Sequence, residues 1–258
     1  MSKSQYIEQI IAGHELYWDM LGNLRGNENH KGNLSWLSGD INYIYKVKLN
    51  GPDYNADVSN VIAKLDNHEI PLNLIITPDT APADVDVCEL FLAYDQIEYA
   101  RTNSGMAKEI RANGNSTYMN AYNNDIKVFK VSKPSHLKMC GVIFNAVFEY
   151  DIFSLKHYID AFCHPNVYFY MAEHRGVPAG ACMAIHGNDF VQIAWVGTLK
   201  GYRQRGIAGY LIGMAEKAAL IKGIELSVLS AYPEGLNAYK RIGYKQYCEI
   251  VTLDYKGE

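Results

Sequence analysis

Hydrophobic positions along the chain switch between two periods. Ile7, Ile10, Ile11, Trp18, Leu21 and Leu24 recur at the spacing of an amphipathic helix. Ile41, Tyr43, Tyr45, Val47 and Leu49 instead alternate with Asn42, Lys46 and Lys48, the period of a half-buried strand. Asn50-Gly51-Pro52-Asp53 ends that strand as a turn. Val58, Val61, Ile62 and Leu65 mark a short helix, and 72–76 a buried strand stopped by Thr77-Pro78-Asp79. A helix over 85–94 and a strand over 97–101 follow.

Residues 103–125 are rich in Asn, Ser and Gly, with few apolar anchors after Met106. A loop of that length is unusual inside one compact domain, so the pattern predicts two lobes, 1–125 and 126–258. The second lobe opens with a strand over 126–131 and helical patterns up to Cys163. Strands over 167–174, 179–186 and 190–198 then come in quick succession. The tight turns Arg175-Gly176-Val177-Pro178 and Gly187-Asn188-Asp189 make them an antiparallel meander. A long helix at about 205–222 lines Ile207, Leu211, Met214, Ala215, Ala218 and Ile221 on one face, and Gly223 stops it. A strand over 224–229, a short helix over 234–242 and a strand over 247–255 complete an α/β chain.

With 48% hydrophobic and 20% charged residues in 258, the composition is that of a folded globular protein. The longest apolar stretches, 142–148 and 211–221, are short or broken by Asn145, Glu216 and Lys217, where a membrane span needs about 20 residues. The first residues lead into an amphipathic pattern and not a signal peptide, so a cytoplasmic protein with no membrane partner is expected. Five cysteines, odd in number and widely spaced, fit reduced thiols. His157, Cys163 and His164 lack a fourth ligand and regular spacing, so no metal is expected. Residues 1–125 carry 9 Lys/Arg against 17 Asp/Glu, net −8; residues 126–258 carry 15 against 11, net +4. A basic second half suits an anionic ligand; two lobes with differently solvated faces are the plain alternative. No dense Lys/Arg run is present, so nucleic acid is not an expected partner.

The stretch Thr198-Leu199-Lys200-Gly201-Tyr202-Arg203-Gln204-Arg205-Gly206-Ile207-Ala208-Gly209 joins a strand to the long helix through a turn with two arginines and small residues. A helix start offers free backbone N–H groups and the positive dipole end, which together bind phosphate. Gly206, Ala208 and Gly209 let a pyrophosphate approach the backbone, and Arg203 and Arg205 add charge for its outer oxygens. Gly201 and Gly206 have Walker A spacing, but Ile207-Ala208 stands where Lys-Ser/Thr is required, and no G-x-G-x-x-G occurs. A glycine-rich helix start used only for tight packing is the alternative.

Arg203-Gln204-Arg205-Gly206-Ile207-Ala208 resembles the R/Q-x-x-G-x-G/A signature of the GNAT superfamily of acyl-CoA-dependent N-acyltransferases. Tyr239-Lys240-Arg241-Ile242-Gly243-Tyr244 is similar to the family's Y-x-x-x-G-F/Y element, and order and spacing agree over about 126–255. The likeness extends weakly to Trp36, Gly39, Pro71 and Gly105-Met106, as in a subgroup with a degenerate GNAT-like N-terminal lobe. The resemblance implies a mixed, mostly antiparallel twisted sheet flanked by helices, preceded by such a lobe. The first half has no second R-x-x-G-x-A segment and is not expected to hold CoA in the usual way.

The same resemblance implies acetyl-CoA as cosubstrate, with the amides of Gln204, Arg205, Gly206, Ile207, Ala208 and Gly209 around its pyrophosphate. The pantetheine arm would pair with the edge of Trp195-Val196-Gly197-Thr198, and an N–H near Val196 would polarise the thioester carbonyl. Tyr239 would protonate the departing thiolate. A small-molecule or peptide amine would attack directly; a CoA-binding or ligand-sensing pseudoenzyme is the alternative. No general base stands out among Glu173, His174, His186, Asp189 and Glu234, each also readable as a surface residue. Tyr232 departs from a family position that often holds a small polar residue; it either narrows the acceptor pocket or points outward.

Overall fold

A computed structural model describes residues 1–25, 28–39, 42–111, 125–148 and 155–257. Ile41 and the stretch 112–124 lie outside the described residues, as do the side chains of Leu24 and His157. The chain forms two compact units that interleave along the sequence. The first comprises 1–105, 230–234 and 246–258; the second comprises 106–229 and 235–245. The lobes expected from the sequence are contiguous, whereas 230–234 and 246–258 belong to the first unit.

In the first unit, α1 (Lys3–Arg25) buries Ile10, Ile11, Met20 and Leu21. Strands β1 (Glu28–Lys31) and β2 (Leu34–Leu37) form a hairpin that the hydrophobic pattern does not predict, because Glu28-Asn29-His30-Lys31 has no apolar alternation. Its signal is Gly32-Asn33, a two-residue turn with Gly32 at φ +62°. Strand β3 (Tyr43–Val47) pairs with β2 and runs parallel to β4 (Asn73–Ile76). Between them in sequence lies α2 (Tyr54–Asp66), capped by the Asp53 carboxylate on the N–H groups of Asn55 and Ala56. After α3 (Val87–Leu92), β5 (Ile97–Glu109) continues well past the expected end at Arg101. Asn103 and Ser104 open the stretch read as the boundary between lobes, yet Ser104 to Ala107 are buried. A Cβ on Gly105 would collide with Cys248 Sγ and Ile10 Cγ2, so close packing selects glycine there.

The unit is completed by the last strand, β11 (Lys245–Tyr255), whose residues Val251 to Asp254 pair antiparallel with Ile76 to Asn73. Leu253 thereby enters the same core as Ile44, Leu65, Leu74 and Phe91.

The second unit follows its predicted order. It contains β6 (Ile126–Lys130), α4 (Pro134–Phe148), α5 (Leu155–Cys163) and the meander β7 (Val167–His174), β8 (Val177–His186) and β9 (Val191–Thr198). Then come α6 (Ile207–Ile221), β10 (Leu226–Ala231) and α7 (Leu236–Arg241). The strand order is β10-β9-β8-β7-β6, with β10 parallel to β9 and the remaining pairs antiparallel. Gly223 ends α6 at φ +80°, with its N–H on the Leu220 carbonyl. Glu216, on the inner side of α6, is fully buried; Lys108 Nζ reaches its Oε2 at 2.6 Å and Tyr244 OH donates to its Oε1 at 3.0 Å.

Candidate functional site

Two local departures from regular structure shape β9. Its pairing with β10 covers Val191 and Gln192 only, so from Ile193 onward that edge has parted from β10. On its other edge the register with β8 jumps from Met183↔Ala194 to Ala181↔Gly197. Trp195 and Val196 therefore stand opposite one residue, Cys182, as a β-bulge. Trp195 sits at φ +52°, left-handed backbone that costs a non-glycine residue about 1–2 kcal/mol. Its ring is held against Phe144 and Phe148, with centroids 5.9 and 5.1 Å away. The bulge re-aims the backbone at Val196, the residue expected to polarise a carbonyl. Sequence reasoning missed this bulge; an aromatic residue in a strand gives no hint of a left-handed conformation, and only Gly197 marks the irregularity.

Beyond β9, Leu199 N–H bonds to the Ala179 carbonyl and a single 3₁₀ turn covers Lys200–Tyr202. Gln204 (φ +63°) and Gly206 (φ +78°) are both left-handed, which folds the chain tightly into α6. The first bond of α6 runs from Tyr210 N–H to the Gly206 carbonyl at 3.1 Å, and no side chain caps the helix. The N–H groups of Ile207, Ala208 and Gly209 thus have no carbonyl within the helix to bond, and they sit at its positive end. Arg203 Nε donates to the Thr198 carbonyl at 3.2 Å, and Arg205 Nη1 contacts His174 Nε2 at 3.3 Å. Both arginines are exposed, so each bonds to the protein through one arm with further N–H groups facing solvent. Thr198 Oγ1 is buried with no hydrogen-bond partner.

Tyr239 lies on α7, half-buried, its ring edge-on to Tyr244 with centroids 6.1 Å apart. Burial pushes its phenol well above the ordinary tyrosine range, with a smaller contribution from Cys182. Cys182 is also the residue opposite the Trp195–Val196 bulge. Burial likewise raises the thiols of Cys182 and Cys140, the latter to about 12.

The candidate bases separate. His174 ends β7 beside Arg205, whereas His186 and Asp189 lie at the β8–β9 turn, the opposite end of β9 from Thr198. Tyr232 is exposed, with the Arg101 guanidinium 5.4 Å from its ring centroid. Among the described residues, no group of His, Cys, Asp and Glu is arranged to hold a metal, and no helix is long and apolar enough to cross a membrane.

Residues 165–246, which contain the meander, the bulge, the helix start and Tyr239, match the family model of the acetyltransferase (GNAT) domain. That stretch of the chain is similar to a GNAT domain. The fold is shared with a GCN5-related N-acetyltransferase from Kribbella flavida, at 15% identity and a TM-score of 0.67, over 96% of each chain. It is shared too with a functionally unknown conserved protein from Staphylococcus epidermidis, at 12% identity and a TM-score of 0.64, over 89% of this chain and 93% of that one. A GCN5-related N-acetyltransferase from Sphaerobacter thermophilus matches at 14% identity and a TM-score of 0.57, over 80% of this chain and 66% of that one. No curated protein matches the sequence. The turn from β9 into α6 lies within the matched residues, and the likeness to the Kribbella protein takes in the fold of the first unit as well.

Proposed function

We propose that the protein is an N-acetyltransferase that moves an acetyl group from acetyl-CoA to a small-molecule or peptide amine by direct attack. The observation that carries this reading is the uncapped start of α6, with left-handed Gln204 and Gly206 ahead of amides that have no helical partner. That is the geometry a pyrophosphate needs. The amides of Gln204 to Gly209 would hold it, while Arg203 and Arg205 add charge from the rim. When bound, acetyl-CoA supplies the activated thioester. Val196, Gly197 and Thr198 offer an open strand edge to the pantetheine arm, and the Val196 N–H at the bulge would polarise the thioester carbonyl.

The amine nitrogen forms its bond to the carbonyl carbon as the C–S bond breaks, so no serine or cysteine nucleophile is needed. Tyr239 gives its proton to the leaving sulfur, and water carries away the proton lost by the amine. A phenol with a raised pKa still suits this task, because the same burial raises the pKa of the thiol being formed. We read the first unit as the lobe that does not bind CoA, since it has no second R-x-x-G-x-A turn.

Calorimetry with acetyl-CoA, combined with release of free CoA in the presence of a panel of amines, tests the proposal. Gly206→Glu is expected to lose at least about tenfold in acetyl-CoA affinity, equivalent to about 1.4 kcal/mol. Its carboxylate repels phosphate, while the left-handed backbone costs only about 1–2 kcal/mol, leaving the fold intact by circular dichroism. Unchanged affinity in that variant removes the cradle assignment. Tight binding with no CoA release for any amine makes the protein a CoA-binding pseudoenzyme instead.

A further inference from the structure

At the far end of α6 from the phosphate turn, two cations converge on one aromatic ring. Lys130, the last residue of β6, places Nζ 4.2 Å from the Tyr168 ring centroid. Lys222, just past α6, places Nζ 4.5 Å from the same centroid and donates to the Tyr168 hydroxyl, which itself donates to the Pro165 carbonyl at 2.9 Å. Among the described residues, no carboxylate forms an ion pair with either lysine. His186, at the end of β8, packs its ring 4.5 Å from that of Tyr168. It is 4% exposed, and both of its ring nitrogens are buried with no hydrogen-bond partner.

Ordinary roles explain part of this. A lysine at a helix C-terminus answers the dipole, and an ammonium over a tyrosine ring gains a cation–π contact. Neither role neutralises the two ammoniums, and neither satisfies the imidazole. Whichever tautomer His186 adopts, one N–H donor and one acceptor are left unmet in a buried position, a cost that native structures normally avoid.

We propose that Lys130, Lys222 and His186 form a second anion site, which takes a phosphate-type oxyanion beside the Tyr168 ring. Such a ligand accepts hydrogen bonds from both ammoniums and from the imidazole N–H, and its charge neutralises theirs. A dianion matches two cations better than a carboxylate does. Burial together with the fields of Lys222 and Lys130 depresses His186 to about 4, so the ring is neutral at pH 7 and the two lysines carry the positive charge. The site is separate from the pyrophosphate turn: the 15 residues of α6 put about 22 Å between the two ends of the helix. It therefore does not depend on the acetyl-CoA reading.

The test is an NMR titration of the His186 and Tyr168 ring resonances in the full-length protein near pH 8, where phosphate is a dianion. Inorganic phosphate and glycerol 3-phosphate are added in parallel, with sodium chloride at matched ionic strength as the control. Saturable shifts with phosphate are expected, together with about tenfold weaker binding in Lys130→Gln/Lys222→Gln. Lys130→Arg/Lys222→Arg, which keeps both charges, should still bind, and so should Gly206→Glu, altered only at the other end of α6. Tighter binding of the ester assigns the site to a phosphorylated small molecule, and equal or tighter binding of inorganic phosphate assigns it to the free anion. Shifts no larger than those with chloride, or shifts unchanged in the double glutamine variant, overturn the proposal.

Discussion

The Tyr239 hydroxyl has one task in the proposed reaction, and the structure sharpens how to test it. Because burial raises the phenol, Tyr239 stays protonated across the whole usable pH range. Its ionisation should give no alkaline limb to the rate profile below about pH 10, the unperturbed tyrosine value. Tyr239→Phe keeps the ring and its edge-on contact with Tyr244. It is expected to lower turnover by about 10²–10⁴-fold, by the same factor at every pH, with acetyl-CoA affinity unchanged. Rate–pH profiles of both proteins measure this, and wild-type turnover in the variant would leave Tyr239 a packing residue. Its place in the short helix α7 was legible from the Tyr239…Gly243-Tyr244 spacing. Its raised phenol was not, because desolvation depends on which strands surround the ring.

Between elements, the fully buried carboxylate of Glu216 ties α6 to β5 through Lys108 and to Tyr244, whose hydroxyl also lies 2.5 Å from Ser227 Oγ on β10. Burial pushes Glu216 upward, against the pull of Lys108 and Tyr244, so its charge depends on those partners. Removing one partner of a buried pair is costly, whereas replacing both with apolar groups is often near neutral. Lys108→Met should therefore lose about 3–5 kcal/mol in urea unfolding, and Lys108→Met/Glu216→Leu should recover most of it. A loss of less than about 1 kcal/mol in the single variant would mean that solvent reaches Glu216. Glu216 looks in sequence like the residue that breaks an apolar helix face; only its partner from β5 explains why the fold tolerates it.

For the molecule as a whole, the interleaved units decide where the chain can be cut. Residues 1–125 on their own lack β11, which supplies Leu253 to the first core and pairs with β4. Residues 126–258 on their own keep β11 without β4 and lose residues 106–111 of the second unit. Neither piece is expected to unfold cooperatively in denaturant, whereas the full chain should, as followed by far-UV circular dichroism. A cooperative transition in the 126–258 piece, with retained acetyl-CoA binding, would show that the second unit does not need the rest of the chain.

Local pattern was enough for the meander, for the extent of α6 with its Gly223 stop, and for the glycine-containing turn from β9 into α6, though Ile221, expected on the buried face of that helix, is exposed. Each of these is set by periodicity or by backbone preferences within a few residues. The hairpin at 28–37, the full length of β5 and the bulge at Trp195–Val196 required tertiary partners. A polar strand is held by the strand beside it, and a left-handed tryptophan by the Phe144 and Phe148 rings that fix its indole. The assignment of β11 to the first unit and the burial of Glu216 are likewise products of long-range pairing. A run of residues specifies its own period and turns, but not which distant surface covers it.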